Sequence, residues 1–206
     1  MALDMNSHDA DDGNESMNEK TKRLKPANFF LLHTLENPHL NQYWYSANTI
    51  AVLVKEIEDN ANKAAFLSTP SLYFSLNDHH LKKSSYIFDI DTQWEKHANF
   101  IKWDFNCPRN IPEHMWHAFD LVLIDPPFIT LEVWFKYAEA TLLLLAPRGK
   151  IILSTVRENA EHLNHLLNVR PQVFEPSIPH LVYQYTFFTN YETKHLSLQN
   201  PEIQQG

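Results

Sequence analysis

An α/β fold with a doubly wound, mostly parallel sheet is predicted by three features of this sequence. Phe119–Ile124 (FDLVLI) is a continuous apolar run, as in a strand buried on both faces of a parallel sheet. Strand-like and helix-like stretches alternate in the order β-α-β-β-β-α-β-α-β-β. Only three glycines occur in 206 residues, Gly13, Gly149 and Gly206, which argues against a β-rich fold built on glycine turns. With 12 prolines, turns must lean on Pro, Asn and Asp.

The elements follow in chain order. Residues 1–25 form a polar tail with six acids and a basic run (Lys20, Lys22, Arg23, Lys25), too poor in apolar side chains to offset ordering entropy. Residues 26–206 form one domain. Asn41–Glu58 has helical spacing at Tyr45, Thr49, Val52, Leu53 and Ile57. Ala64–Ser68 reads as a strand, closed by Thr69 as N-cap and Pro70 at the first position of a helix running to about Lys83. Ser85–Ile90 and Asn99–Trp103 are the next strands, followed by Phe119–Ile124. Leu131–Leu145 is the clearest helix, and Arg148-Gly149 turns the chain into the strand Lys150–Ser154. Thr155 and Glu158 read as a capping box before a helix over Val156–Leu167. Gln172–Glu175 and Leu181–Phe188 are expected to pair as a C-terminal hairpin.

Composition excludes several functions. The missing glycines rule out GxGxxG and GxxxxGK[ST] phosphate cradles. A single cysteine, Cys107, leaves no disulfide framework and no cysteine-based zinc site, and it reads as structural. His114/His117 and His162/His165 lack a third ligand nearby, so no metal site is expected. No apolar stretch approaches a membrane span, and the acidic, signal-free N-terminus points to the cytoplasm. The formal net charge of −8, about −6 without the tail, disfavours nucleic acid as a partner.

In open α/β sheets, ligands bind at the carboxyl ends of the strands. The strand ends here are Ser68-Thr69, Asp89, Asp104 and Asp125. Asp89 lies 21 residues after Ser68, the spacing of a ribose-binding acid. Asp125-Pro126-Pro127-Phe128 is the sharpest motif. Its prolines donate no N–H and stiffen the loop. The carboxylate and neighbouring carbonyls are then pure acceptors that can hold an amine by its hydrogens and leave its lone pair free. Phe128 adds a flat face for a base or a cation. Such a cradle suits methyl transfer to nitrogen, on either a lysine or an extruded adenine. The glycine-free first loop is also compatible with a non-catalytic relic of such a fold.

These residues resemble the class I S-adenosylmethionine-dependent methyltransferases of the [DNS]PP[YFW] type. More closely, the chain is similar to a family first described as N(6)-adenine methyltransferases and typified by the elongation factor 1-alpha lysine methyltransferase 1 enzymes. The matching stretches are Asn41–Ser46, Phe66–Leu76, Tyr86–Asp91, Phe100–Pro108, Phe119–Phe128 and Gly149–Thr155. The resemblance implies a seven-stranded Rossmann-like sheet with a C-terminal antiparallel hairpin, and S-adenosyl-L-methionine as cofactor. It implies that Ser68, Thr69, Pro70 and Ser71 form the cofactor loop, that Asp89 binds the ribose, and that Asp104 and Phe105 read the adenine. Asp125, Pro126, Pro127 and Phe128 would be the catalytic amine-binding motif. Tyr43, Trp44, Tyr45 and Ser46 would close over the substrate. The implied substrate is a protein lysine, that of elongation factor 1-alpha, and the expected state is a monomer. Two stretches depart from the family pattern: the polar tail replaces a longer helical segment, and Pro176–Phe188 lacks an Asn-Glu pair.

Overall fold

The computed structural model describes residues 28–203, so the tail expected over 1–25 lies outside them. Helix α1 (Phe29–His33) is capped by Asn28, whose side chain accepts from Leu31 N. Helix α2 (Ala47–Asn60) follows a 3₁₀ turn at Pro38–Leu40. It starts six residues later than the apolar spacing suggests. Asn41 adopts a left-handed φ of 53° and Ser46 takes the cap, its Oγ accepting from Thr49 N. Gln42–Tyr45 is therefore not helical.

Strand β1 (Ala64–Leu67) leads into α3 (Pro70–Ser75) and α4 (His79–Ser84). The single helix expected from Pro70 to Lys83 is broken at Leu76–Asp78. Glu58 Oε1, at the end of α2, accepts from the amides of Asn77 and Asp78 at 2.6 and 2.9 Å, and Asp78 then caps α4. Strands β2 (Tyr86–Asp89), β3 (Phe100–Lys102) and β4 (Phe119–Ile124) precede helix α5 (Leu131–Leu144), capped by Thr130.

Strand β5 (Leu145–Thr155) contains the expected turn as an irregularity: Phe119 pairs with Leu145 and Leu121 with Lys150. The left-handed residue there is Arg148, with φ 63°, not Gly149. Gly149 serves by having no side chain, since a Cβ would lie 2.5 Å from Leu145 Cδ1 and 2.9 Å from Ala146 O.

The capping box does not form. Thr155 is the last residue of β5, paired with Thr186, and its Oγ1 accepts from Asn159 Nδ2. A 3₁₀ turn (Arg157–Asn159) precedes the shorter helix α6 (Ala160–Leu167). The C-terminal strands differ from the expected ones: Gln172–Glu175 is not a strand, and β6 (Arg170–Pro171), just before it, pairs antiparallel with β7 (Thr186–Thr189), which takes only the end of Leu181–Phe188. Pro171, which cannot donate to a ladder, sits on the edge strand. The stretch 172–185 leaves the sheet as a long excursion instead of a tight hairpin.

The sheet order is β3-β2-β1-β4-β5-β7-β6, with β7 antiparallel to both neighbours and the rest parallel. This is the doubly wound, mostly parallel arrangement that the sequence predicts. Alternation along β1 builds two cores. Ala65 and Leu67 pack toward Trp134, Tyr137 and Leu144 of α5, and Leu163 of α6. Ala64 and Phe66 pack toward Ile50, Leu53 and Ile57 of α2, and Leu72 of α3. The chain winds from β1 outward to β3, then returns to β4 on the other side. The crevice where ligands bind in such sheets therefore opens at the carboxyl ends of β1 and β4.

Candidate active site

A cleft of about 650 Å³, partly open to solvent, occupies that crevice. The end of β1 gives Ser68 and the first turn of α3 gives Ser71; the end of β2 gives Asp89, and the end of β4 leads into Asp125, Pro126 and Pro127. Asn41, Gln42, Tyr43 and Trp44 line one wall. Ile178, Leu181 and Tyr185, from the excursion before β7, line another.

Ser68 stands at the end of β1 with φ 55°, in the left-handed region where glycine would be unstrained. Its N–H donates to Phe88 O at 2.9 Å, and its hydroxyl lies 2.7 Å from that of Tyr137, a buried residue of α5. Burial, with the nearby charges of Asp89, Asp125 and Asp104, pushes the Tyr137 phenol well above its ordinary range. It stays a neutral hydroxyl. Thr69 heads α3 without making a side-chain cap; its buried Oγ1 has no partner.

Asp89 is buried and accepts from Asp91 N at 2.9 Å. Burial pushes its carboxyl up to about 7, with Asp91 adding a like charge and backbone N–H groups opposing. Asp125 is also pushed up to about 7 by its enclosure, although part of it still opens on the cleft. Hydrogen bonding from Ser154 and Tyr45 opposes that rise. Ser154 Oγ donates to Asp125 Oδ1 at 2.7 Å, and Tyr45 Oη lies 2.8 Å from Ser154 Oγ. The Pro127 carbonyl accepts from Asn41 Nδ2.

The sequence-derived candidates do not all meet here. Tyr43 and Trp44 line the cleft, whereas Tyr45 lies beneath Asp125 and packs on Phe187 at 5.7 Å. Ser46 is spent on capping α2 and on a bond to Glu202. Pro70 is buried at the start of α3. Asp104 is turned to its own loop, accepting from Asn106 N at 2.8 Å. Phe105 stacks on Tyr137 at 5.8 Å and meets Phe128 at 6.4 Å, beside the cleft and not among the residues lining it. Phe128 is 51% exposed on that outer side. Ser154, Tyr185, Gln42, Ile178 and Leu181 were not singled out from sequence. Ser154 offered a weak signal, as the end of the fifth strand. The other four depend on how two distant loops fold over the sheet.

Two features fit this cleft to a cationic ligand rich in hydroxyl groups. Among the described residues, its lining holds two carboxylates and no Lys or Arg. Two lining residues carry buried polar atoms without partners, Gln42 Oε1 and Trp44 Nε1, and Thr69 Oγ1, next to Ser68 in the chain, is another. Such atoms are costly unless a ligand or water completes them. Among the described residues there is no group of three or more His, Cys, Asp or Glu that could hold a metal, and no helix long and apolar enough to cross a membrane.

Comparison with known proteins gives a coherent picture. The profile of the family described as "Probable N6-adenine methyltransferase" matches residues 36–193. EEF1A lysine methyltransferase 1 of Mus musculus is 36% identical over 165 residues, covering 77% of this chain and 76% of that protein. The same enzyme of Homo sapiens is 33% identical over an equal span, with the same coverage of each chain. A protein-lysine N-methyltransferase of Dictyostelium discoideum is 30% identical over 175 residues, covering 80% of this chain and 82% of that one.

Proposed function

This chain belongs to the family described as "Probable N6-adenine methyltransferase", and from that membership we propose that it is a protein-lysine N-methyltransferase acting on translation elongation factor 1-alpha. Curated relatives over most of its length carry the names EEF1A lysine methyltransferase 1 and protein-lysine N-methyltransferase. The structural observation that carries the reading is the cation-free cleft with Asp89 and Asp125 across it. Both the cofactor and a lysine bring positive charge to these acids. A nucleic-acid strand would bring phosphates to a cleft whose lining, among the described residues, has no Lys or Arg to meet them.

S-adenosylmethionine, when bound, supplies the methyl group on a sulfonium. Ser68, Ser71 and Asp89 would hold it, with Thr69 Oγ1 free to take part. The remaining work falls to the chain's own groups. A lysine with pKa about 10.4 must give up its proton to react, which at pH 7 costs roughly 4.6 kcal/mol in water. Enclosure between Tyr43, Trp44 and Tyr185 lowers that cost by disfavouring the charged form. Asp125 and the Pro126 carbonyl then accept the amine hydrogens and aim the lone pair. The Pro127 carbonyl is already engaged by Asn41, so it contributes by fixing the wall, not by holding substrate. Rate comes mainly from this placement.

The deciding experiment incubates the protein with labelled S-adenosylmethionine and nuclease-treated cytosol. A single labelled protein band of the size of elongation factor 1-alpha is the expected result. Label confined to nuclease-sensitive material would overturn it.

A further inference from the structure

Resting on the lysine-methylation reading above, we propose that Ser154 and Tyr45 are positioning residues that orient Asp125 through a buried hydroxyl network in which Ser154 bonds to both Asp125 and Tyr45.

The need for such a chain lies in the motif itself. An aspartate in a turn can be pinned by the backbone N–H two residues on, and this protein uses that device repeatedly. Asp78 accepts from His80 N, Asp89 from Asp91 N, Asp91 from Gln93 N and Asp104 from Asn106 N. Asp125 cannot do the same, because the residue two on is Pro127, which has no N–H. Pro126 has none either. The terminal torsion of an aspartate has a broad, shallow preference, so nothing local sets the plane of this carboxyl. Yet an acceptor that aims a lone pair is useful only when its plane is fixed.

The orientation comes from across the sheet. Ser154 is fully buried on β5, opposite Phe187 of β7, and its hydroxyl reaches Asp125 Oδ1 at 2.7 Å. Serine has one proton to give and an ionised carboxylate can only accept, so that proton goes to Asp125. The 2.8 Å contact to Tyr45 therefore runs the other way, with the Tyr45 phenol donating to Ser154 Oγ. Tyr45, 3% exposed, is locked by its ring against Phe187. The other titratable groups acting on this carboxyl are Tyr185 from the excursion and Tyr137 from α5; Asp89 faces the same cleft from β2. Two donors on one carboxyl polarise one another and fix the plane in which Asp125 meets the substrate amine. They also favour the ionised, accepting form of Asp125 over the protonated one.

The test compares Ser154→Ala, Tyr45→Phe and the double variant, with Ser154→Thr as the hydroxyl-retaining control. The Asp125 side-chain carbon is titrated by NMR in the free protein. Methyl transfer from labelled S-adenosylmethionine to purified elongation factor 1-alpha is followed against pH. Loss of the Ser154 hydroxyl is expected to raise the Asp125 midpoint by about one pH unit. It should lower kcat about tenfold or more while KM for the cofactor moves less than about threefold. Tyr45→Phe should shift both in the same direction by less. The double variant should move the midpoint by less than the sum of the two single shifts, because the two hydroxyls share one network around Asp125. Ser154→Thr should restore the midpoint. An unmoved midpoint in both single variants, or kcat losses that multiply in the double, would overturn the proposal. If Ser154→Ala fails to fold, the Tyr45→Phe midpoint decides alone. Failure of the wild-type protein to label the elongation factor would sink the lysine reading instead, and the titration would still decide the hydroxyl chain.

Discussion

The hydroxyls of Ser68 and Tyr137 meet at 2.7 Å, and they do so with Ser68 in a left-handed conformation that serine seldom adopts. A non-glycine residue held there costs on the order of 1–2 kcal/mol. The Tyr137 bond and the Phe88 carbonyl hold the loop in place against that cost. Replacing Tyr137 with Phe should therefore lower the melting temperature and weaken S-adenosylmethionine binding, by about tenfold in a calorimetric titration. Ser68→Gly relieves the strain but deletes the hydroxyl. It should leave stability within about 1 kcal/mol of the wild type while still weakening the cofactor. Wild-type affinity in both variants would show that this loop does not touch the cofactor.

Asp125→Ala should abolish methyl transfer, by about 10²-fold or more, while cofactor affinity changes little. The change removes an acceptor for the amine and leaves Ser68, Ser71 and Asp89 in place. Transfer at near wild-type rate would end the assignment of Asp125.

Asp89 and Asp125 both titrate near 7 because enclosure disfavours their charged forms. In the unfolded chain each would titrate near 3.8. Between those values the folded protein holds more protons than the unfolded one, so stability without ligand should fall as pH rises from about 4 to 7 and level off above. Cofactor binding has the opposite dependence, since ribose hydroxyls donate to the ionised form of Asp89. Affinity should rise from pH 6 to 8, with proton release seen as binding heats that depend on the ionisation enthalpy of the buffer. Affinity that is flat across this range would show that Asp89 does not meet the cofactor.

Gly149→Ala should destabilise the fold by about 1–3 kcal/mol, measured by urea denaturation. The added carbon would press on Ala146 O, a backbone atom with little room to retreat, as well as on Leu145. Arg148→Gly, by contrast, should be neutral or stabilising, because Arg148 and not Gly149 carries the positive φ.

Glu56 is fully buried in α2, where its carboxylate accepts from the amides of Lys194 and His195 and from the side chains of Tyr191 and Asn60. Glu56→Ala would orphan these donors and should cost about 3 kcal/mol. Increased hydrogen exchange confined at first to residues 191–196 would mark the lost anchor. Exchange spread evenly over the sheet would argue against a local role.

What the sequence made legible follows from what each element answers to. Phe119–Ile124 has the bounds read from its apolar run because burial on both faces leaves no choice of register or partner. The strand-end acids could be found because the sheet itself dictates where ligands sit, and Asp89 and Asp125 do share one cleft. Asp104, read by the same rule, turns instead to the amide of Asn106, a choice made by its own loop. The break between α3 and α4 was hidden because Glu58, from a different helix, takes the amides that would have continued it. Ser154 and Tyr185 were hidden because their places depend on β7 lying antiparallel beside β5. Tyr45 looked like a substrate contact. It is a support, because Ser46 starts the helix one residue later and sends the Tyr45 ring down against Phe187.

The start of α2 is fastened to residues far along the chain. Ser46 N donates to Ser177 O, the Ser46 hydroxyl to Glu202, and Asn48 to Asn200. Asn200 in turn donates to Glu175 O at 2.8 Å. A nascent chain that has emerged only as far as β5 already holds Ser68, Asp89 and Asp125, together with the Glu36 and Ser154 contacts of Trp44 and Tyr45, yet lacks the later residues that fasten Ser46 and Asn48. During synthesis on the ribosome, the strand-end acids would thus be in place before the start of α2 is fastened by Glu175, Ser177, Asn200 and Glu202.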